Sequence, residues 1–105
     1  MWFIFPQVGG LGYSEMSRAF AIYSREEAVA YLSHPILGPR LYEGTQIVNS
    51  LDIVDARDIF GDVDAMKFRS SMTLFSQVAT EGQPFTIALQ KYFGGEPDQR
   101  TIDLL

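Results

Sequence analysis

Residues 62–79, DVDAMKFRSSMTLFSQVA, carry the clearest helical pattern of the chain. Apolar side chains recur there at steps of three and four residues, which is the period of one face of an α-helix. Asp62 precedes this stripe and is predicted to be the N-cap. The stripe consists of Ala65, Phe68, Met72, Phe75 and Ala79. We therefore predict one long helix with a buried apolar face.

Two shorter helices are predicted before this segment, near the start of the chain. Residues 14–23 carry apolar side chains at helical spacing. Ser24 and Glu27 have the spacing of a capping box, in which each side chain accepts the backbone N–H of the other. This box predicts a helix over 25–33. The helix should end at His34, because the proline that follows disfavours helical geometry there.

Glycine and proline also divide the rest of the chain into helices. Pro39 suits the first turn of a helix whose stripe is Leu41, Gly44, Val48 and Leu51. Residues 55–60 predict one or two short turns that end at Gly61.

After residue 79, the segment 82–84 is predicted to begin another helix, and Gly94-Gly95 offers a left-handed C-terminal cap. The apolar residues of that helix are Ile87, Ala88, Leu89, Tyr92 and Phe93. A last short helix is predicted over residues 97–105. Because period-two alternation is scarce, the predicted fold is all-α, a single compact multi-helix domain over residues 1–105 with Gly/Pro-rich corners.

Composition and charge exclude several functional classes. The 105 residues are 47% hydrophobic, which describes a self-folding globular domain rather than a disordered chain. Eight Lys and Arg against thirteen Asp and Glu give a net charge of −5, so nucleic acid is not an expected partner. The absence of Cys excludes disulfides and thiolate metal sites, and the expected location is cytoplasmic. No apolar run approaches the roughly 18 residues of a membrane span, so no membrane partner is expected.

Three glycines in four positions, Gly9, Gly10 and Gly12, predict a loop. A glycine loop before a helix also fits an anion cradle built from backbone N–H groups. The motif lacks the spacing of a dinucleotide fingerprint, and no Lys-Ser or Lys-Thr pair follows it. A plain turn is therefore the favoured interpretation.

Lys67 lies three and four residues before Ser70 and Ser71, so a helix places the ammonium and both hydroxyls on one face. With Arg69 nearby, this group suits an anion site or a lysine-activated hydroxyl. The alternative is a polar face whose hydroxyls bond back to the preceding turn. The residues alone identify no reaction.

His34 is the only imidazole, so any histidine-dependent acid–base or metal chemistry must use it. A histidine before proline at a helix end is more often a corner residue. With no second histidine and no cysteine, a transition-metal site is not expected. The aspartates between residues 55 and 64 lack calcium-loop spacing, and helix capping explains them. We predict neither a metal nor a cofactor.

The N-terminal stretch MWFIFP, residues 1–6, is apolar and is followed by Gln7. Trp2 and Phe5 would form the stacking walls of a ligand pocket, with Gln7 as a polar group that fixes orientation. Core packing is the ordinary alternative for such side chains. Because an apolar terminus needs cover, a homodimer is expected.

The sequence resembles one known family, the domain of unknown function 1810 (DUF1810). The similarity covers nearly the whole chain and rests on WFIFPQ at 2–7, GLG at 10–12, YLSHP at 31–35, IFG at 59–61, KFRSSMTLF at 67–75 and YFGG at 92–95. The resemblance implies a small, mainly α-helical domain and brings no established activity. Members usually carry another helical segment before the WFIFPQ string. The resemblance therefore implies a shortened member, a fragment, or dependence on a neighbouring copy.

Two functional hypotheses follow. The first is a domain that binds a small anionic metabolite or nucleotide in a polar-edged pocket, with any reaction on that ligand left open. Its ligand-binding residues would be Trp2, Gln7, His34, Lys67, Arg69, Ser70 and Ser71. The second is a protein–protein interaction module that docks a partner on the N-terminal aromatics. Under the first hypothesis Lys67→Ala abolishes ligand binding, whereas under the second Trp2→Ala removes partner capture.

Overall fold

The computed structural model of the protein describes residues 5–10, 21–53, 55–79 and 84–105. Within these ranges the regular structure consists of six α-helices, and the only β pairing is an isolated bridge. The helices are α1 Arg25–Ser33, α2 Leu37–Asn49, α3 Ala56–Phe60, α4 Asp62–Val78, α5 Phe85–Phe93 and α6 Gln99–Leu104. The all-α prediction is therefore confirmed. None of these helices is both long enough and apolar enough to cross a bilayer.

Helix α4 is the centre of the fold. It packs against α1, α3, α5 and α6, while α2 packs against α1 and α5. Four residues of the predicted stripe are buried, and Phe68, Met72 and Phe75 are fully so, while Ala79 is half-buried and caps the helix end. Residues 70–75 are all buried, because helices cover α4 on more than one side. The prediction of a single buried face thus holds for the ends of α4 and is wrong for its middle.

Two clusters of aromatic rings fill the core along α4. Phe68 contacts Phe60 at a centroid distance of 4.9 Å and Phe5 at 5.0 Å, the latter edge to face. About two turns further along α4, Phe75 contacts Tyr31 at a centroid distance of 5.6 Å and Phe85 at 5.7 Å. Edge-to-face and tilted pairs at these distances are the favoured arrangements of aromatic rings. Helix α4 therefore packs against the segment that contains Phe5 and against α1, α3 and α5.

The capping box at the start of α1 is confirmed in part. The Ser24 hydroxyl accepts the backbone N–H of Glu27 at 3.0 Å, as predicted. The Glu27 carboxylate instead accepts the backbone N–H of Tyr23 at 3.0 Å, one residue before the predicted partner. The helix spans residues 25–33 as expected, and His34 ends it in an extended conformation.

The helix predicted over residues 14–23 falls largely outside the described residues. Its last part, 21–23, is described and is not helical, so the prediction is wrong there. The Ile22 N–H donates to the Gln7 carbonyl at 2.8 Å, and the Ile22 carbonyl accepts the Gly9 N–H at 2.7 Å. This parallel bridge with Val8 holds the segment extended. A buried tertiary pairing thus overrides the local helical spacing.

Gly61 joins α3 to α4 and corrects the predicted N-cap. Asp62 is the first residue of α4 rather than its cap, and Gly61 occupies the cap position with φ of 81°. The Gly61 N–H ends α3 on the Arg57 carbonyl, while its own carbonyl accepts the Ala65 N–H. Because glycine tolerates this left-handed backbone, one residue ends one helix and begins the next.

The remaining helices match the predictions closely. In α2, Pro39 lies in the first turn, and Leu51 lies beyond the end of the helix. Helix α5 ends at Gly94 with φ of 63° and ψ of 22°, which is the predicted left-handed cap. Helix α6 lies inside the predicted segment 97–105, and Asp98 caps it through the Thr101 N–H.

Candidate functional site

A cleft of about 670 Å³ lies between α3, α4 and α5. Its volume is within the range of roughly 300 to 1,000 Å³ that is typical of small-molecule sites. The lining residues are Asp55, Ala56, Arg57, Asp62, Ala65, Met66, Arg69, Tyr92 and Phe93. The cleft therefore combines an apolar surface with two carboxylates and two guanidinium groups.

One face of α4 forms a continuous side of the cleft. Asp62 and Arg69 are seven residues apart, which is about two helical turns, so both belong to the same face at a spacing of about 10 Å. Ala65 and Met66 lie between them. Ala65 is buried, whereas Met66 is 72% exposed. This face thus carries an acidic group at one end, a basic group at the other and apolar atoms in between.

Arg69 is held in place at the cleft wall by the segment before α6. Its Nε donates to the Glu96 carbonyl at 3.0 Å, and its Nη2 donates to the Pro97 carbonyl at 3.2 Å. The guanidinium also lies 5.6 Å from the centroid of the Phe93 ring, in cation–π range. Nη2 also lies 3.7 Å from the exposed carboxylate of Glu96. These contacts use Nε and Nη2 and leave the Nη1 donors to other acceptors. The guanidinium is therefore ordered before any ligand arrives.

Asp55 and Arg57 form an exposed pair at the start of α3. The Asp55 carboxylate accepts the Arg57 backbone N–H at 2.9 Å and receives both Nε and Nη2 of the Arg57 side chain, at 3.3 and 3.0 Å. These hydrogen bonds lower the pKa of the Asp55 carboxyl. Hydrogen bonding to Asp55 raises the pKa of Arg57, with smaller contributions from the charges of Asp62 and Asp58.

The structure places Lys67, Ser70 and Ser71 on α4, outside the cleft lining. Lys67 Nζ lies 3.7 Å from the Asp64 carboxylate. The Ser70 hydroxyl bonds back to the Met66 carbonyl at 3.1 Å, as the alternative interpretation expected, and also donates to Asp98 at 3.2 Å. Ser71 is fully buried, and its hydroxyl has no hydrogen-bond partner among the described residues.

His34 and Gln7 are not among the residues that line the cleft. His34 is exposed at the corner between α1 and α2, where its Nδ1 accepts the backbone N–H groups of Ile36 and Leu37, each at 3.1 Å. Gln7 is half-buried, and its backbone carbonyl takes part in the β bridge. Trp2 lies outside the described residues, while Phe5 belongs to the core. Of the six predicted site residues that the structure describes, only Arg69 lines the cleft.

Sequence reasoning missed the cleft because three helices build it. Asp55 and Asp62 were interpreted as capping residues, and Tyr92 and Phe93 only as apolar residues of a helix. The i,i+7 spacing of Asp62 and Arg69, with Met66 between them, was a usable signal, since it places opposite charges on one helix face. The partner helices that turn this face into a cleft are not visible in that spacing.

Two further features of the described residues bear on the chemistry of the site. Across the described ranges, no three His, Asp or Glu side chains converge as metal ligands would. A second pocket, of about 290 Å³, lies between α4, α5 and the segment before α6. Uncharged side chains line it, namely Ser76, Gln77, Thr86, Leu89, Gln90 and Pro97, together with Gly95. The larger cleft is therefore the better candidate for a charged ligand.

The fold and the cleft define a small all-α domain with a ligand-sized site between helices. The chain belongs to the family described as "Protein of unknown function (DUF1810)", whose profile matches residues 1–105. Its structure is similar to the crystal structure of the conserved hypothetical protein Rv1873 from Mycobacterium tuberculosis, with a TM-score of 0.96 and 48% sequence identity. That similarity covers 99% of this chain and 74% of the mycobacterial one. No curated protein sequence matches the chain.

Proposed function

We propose that the protein binds a small anionic metabolite in the cleft between α3, α4 and α5. The observation that supports this most strongly is Arg69, which is ordered by two backbone carbonyls and the Phe93 ring at the wall of a cleft of about 670 Å³. A guanidinium that is already fixed loses little side-chain entropy when an anion binds.

The rest of the cleft suits a ligand that has an apolar or planar part beside its anionic group. Met66 and Phe93 offer polarizable and aromatic surface, and such walls are typical of metabolite sites. Arg57 provides a second guanidinium near the mouth, and its side chain is 68% exposed. This proposal retains the anionic ligand of the sequence-based hypothesis. It moves the site away from Lys67 and Ser71.

Thermal denaturation with a ligand panel tests this proposal. The panel contains nucleotides, dinucleotides, sugar phosphates and small organic acids. A ligand at 100 times its Kd stabilises the folded state by about 2.7 kcal/mol. The melting temperature of a domain of this size rises by roughly 4 to 8 °C for each kcal/mol of added stability. We expect at least one anionic compound to raise the melting temperature by several degrees.

A matched pair of variants locates the binding. Met66→Glu places a carboxylate in the cleft, whereas Val63→Glu places one on the same helix outside the cleft lining. The two side chains are 72% and 68% exposed, so both substitutions are equally tolerable for the fold. The ligand-induced shift should disappear in Met66→Glu and persist in Val63→Glu. A shift that survives Met66→Glu, or a melt that no compound moves, contradicts the proposal.

A further inference from the structure

The charges that line the cleft are separated along its length. Asp62 and Arg57, which interact through their charges, mark one end, and Asp55 lies beside Arg57. Arg69 and Phe93 mark the other end. Because Asp62 and Arg69 are two turns apart on α4, about 10 Å of helix face separates these ends.

Each end presents one charged group that can form further hydrogen bonds with a ligand. At the acidic end, Nε and Nη2 of Arg57 donate to the two carboxylate oxygens of Asp55. The side chain of Asp62 is exposed, and its carboxylate makes no hydrogen bond or ion pair with any other described residue. At the basic end, Arg69 uses Nε and Nη2 for backbone carbonyls, and Nη2 also lies 3.7 Å from the solvated carboxylate of Glu96, while its Nη1 donors remain. The two ends therefore present a carboxylate and a guanidinium of opposite charge.

An anion with a purely apolar tail fits this arrangement poorly. With its anionic group at Arg69, the tail would run over Met66 toward Asp62 and strip water from that carboxylate. A carboxylate that loses water without gaining a partner raises the free energy of the complex. A cationic group at the far end of the ligand removes this penalty by pairing with Asp62.

We propose that the ligand is bipolar and extended, with an anionic group at Arg69 and a cationic group at Asp62. Its spacer is apolar and about 10 Å long, the length of the α4 face between the two charges. The chemical class is that of long-chain ω-amino acids and amino-acid conjugates of similar length. This inference rests on the proposed function, because it specifies the ligand of the same cleft.

Calorimetric titration with a matched series of probes tests the inference. The probes are ω-aminooctanoate, whose extended chain has about the required length, octanoate, octylamine and the shorter ω-aminobutanoate. We expect ω-aminooctanoate to bind up to about fivefold more tightly than octanoate, the factor that a partly exposed charge pair supplies. Octylamine and ω-aminobutanoate should bind more weakly than ω-aminooctanoate, because each lacks one of the two contacts.

Two aspartate variants identify the acidic contact. Asp62 and Asp64 both lie in the first turn of α4, so each replacement removes one negative charge from the helix N-terminus, but only Asp62 lines the cleft. Asp62→Asn should abolish the advantage of ω-aminooctanoate over octanoate, and octanoate should bind this variant at least as tightly as it binds the parent, because no charged carboxylate then loses water under the tail. Asp64→Asn should preserve that advantage.

Three outcomes contradict the inference. Octanoate that binds as tightly as ω-aminooctanoate overturns the bipolar ligand and leaves an anionic ligand in place. An equal loss in Asp62→Asn and Asp64→Asn shows a general charge effect and also overturns the pairing with Asp62. If no probe binds and no compound of the wider panel shifts the melt, both this inference and the proposed function are wrong.

Discussion

At the residue scale, two adjacent serines in α4 have opposite surroundings. The Ser70 hydroxyl lies between the Met66 carbonyl and the Asp98 carboxylate, and Asp98 also accepts the Thr101 hydroxyl at 2.6 Å. The Ser71 hydroxyl is buried without a partner in the described structure. A hydrogen-bonded hydroxyl stabilises the fold, whereas a buried hydroxyl without a partner lowers its stability.

Alanine at each serine should therefore act in opposite directions. Ser70→Ala should lower the free energy of unfolding by about 1 to 2 kcal/mol, because Asp98 loses a donor. Ser71→Ala should leave that free energy unchanged or raise it, because the hydroxyl it removes has no partner. Urea denaturation measures both. A Ser71→Ala variant that loses as much stability as Ser70→Ala would show that the Ser71 hydroxyl has a partner after all.

These serines also show what sequence can and cannot predict at this scale. The shared face of Lys67, Ser70 and Ser71 follows from helical geometry. The partner of Ser70 is Asp98, which lies 28 positions away, and no local rule connects them. The three were expected to be candidates for a site because they are polar, yet α4 is buried on several sides where the serines lie.

At the element scale, the C-terminal end of α2 is capped by side chains of another helix. Helix α2 has no basic residue in its last turn. Lys91 of α5 donates to the Asn49 carbonyl at 2.6 Å and also to the Leu51 carbonyl, and the Tyr92 hydroxyl donates to the Val48 carbonyl. A cation at this end complements both the carbonyls that lack helical partners and the negative end of the helix dipole.

Lys91→Met should therefore destabilise the protein while keeping the length of the side chain. We expect the free energy of unfolding to fall by about 1 to 3 kcal/mol, because two carbonyls lose a charged donor. Gln90→Met, at the exposed neighbouring position, serves as the control and should change that free energy by less than about 0.5 kcal/mol. Equal urea midpoints for the two variants would contradict this role of Lys91.

Asp55 is the N-cap of α3, and its ionisation makes the stability of the folded protein depend on pH. Hydrogen bonds from Arg57 lower the pKa of Asp55 in the folded state below its ordinary value of 3.8. The stabilisation from the ionised carboxylate is therefore fully present above that value and is lost as the pH falls through the lower pKa of the folded state. Asp55→Asn keeps a side-chain oxygen for the cap and cannot ionise. Its thermal stability should fall less steeply in acid than that of the parent, and parallel curves would contradict this assignment.

Helix boundaries were predictable where capping chemistry is local. Ser24 and Asp98 cap through their own side chains, and Gly94 ends α5 through its own backbone. The error at residues 21–23 has a physical cause, since the Val8–Ile22 bridge lies between segments that are distant in sequence. Pairing energy of that kind is invisible to a periodicity argument.

At the scale of the whole molecule, Phe68 connects elements from both ends of the chain. Its ring contacts those of Phe5 and Phe60, and those of Tyr92 and Phe93 at 6.3 Å. The sequence predicts that Phe68 is buried, because it lies on the stripe of α4. The packing of the helices decides which rings surround Phe68, and the stripe does not predict that packing. The same packing forms the cleft beside these rings.

Phe68→Ala should lower the free energy of unfolding by about 3 to 5 kcal/mol, because the ring is fully buried and the surrounding rings cannot close the cavity. Ile47→Ala, at a side chain that is 57% exposed, is the control and should have a small effect. Urea denaturation followed by circular dichroism measures both. A loss for Phe68→Ala no larger than for Ile47→Ala would place Phe68 outside the core.

The contact between Phe5 and Phe68 also sets the order in which a newly made chain completes its core. Phe5 leaves the ribosome before the ring against which it packs, because that ring belongs to α4, more than half of these 105 residues later. Closing so long a loop slows folding, because its entropy must be lost before the contact forms. During synthesis, therefore, the segment around Phe5 is made before its partner, and its apolar surface stays uncovered by Phe68 until α4 has been made.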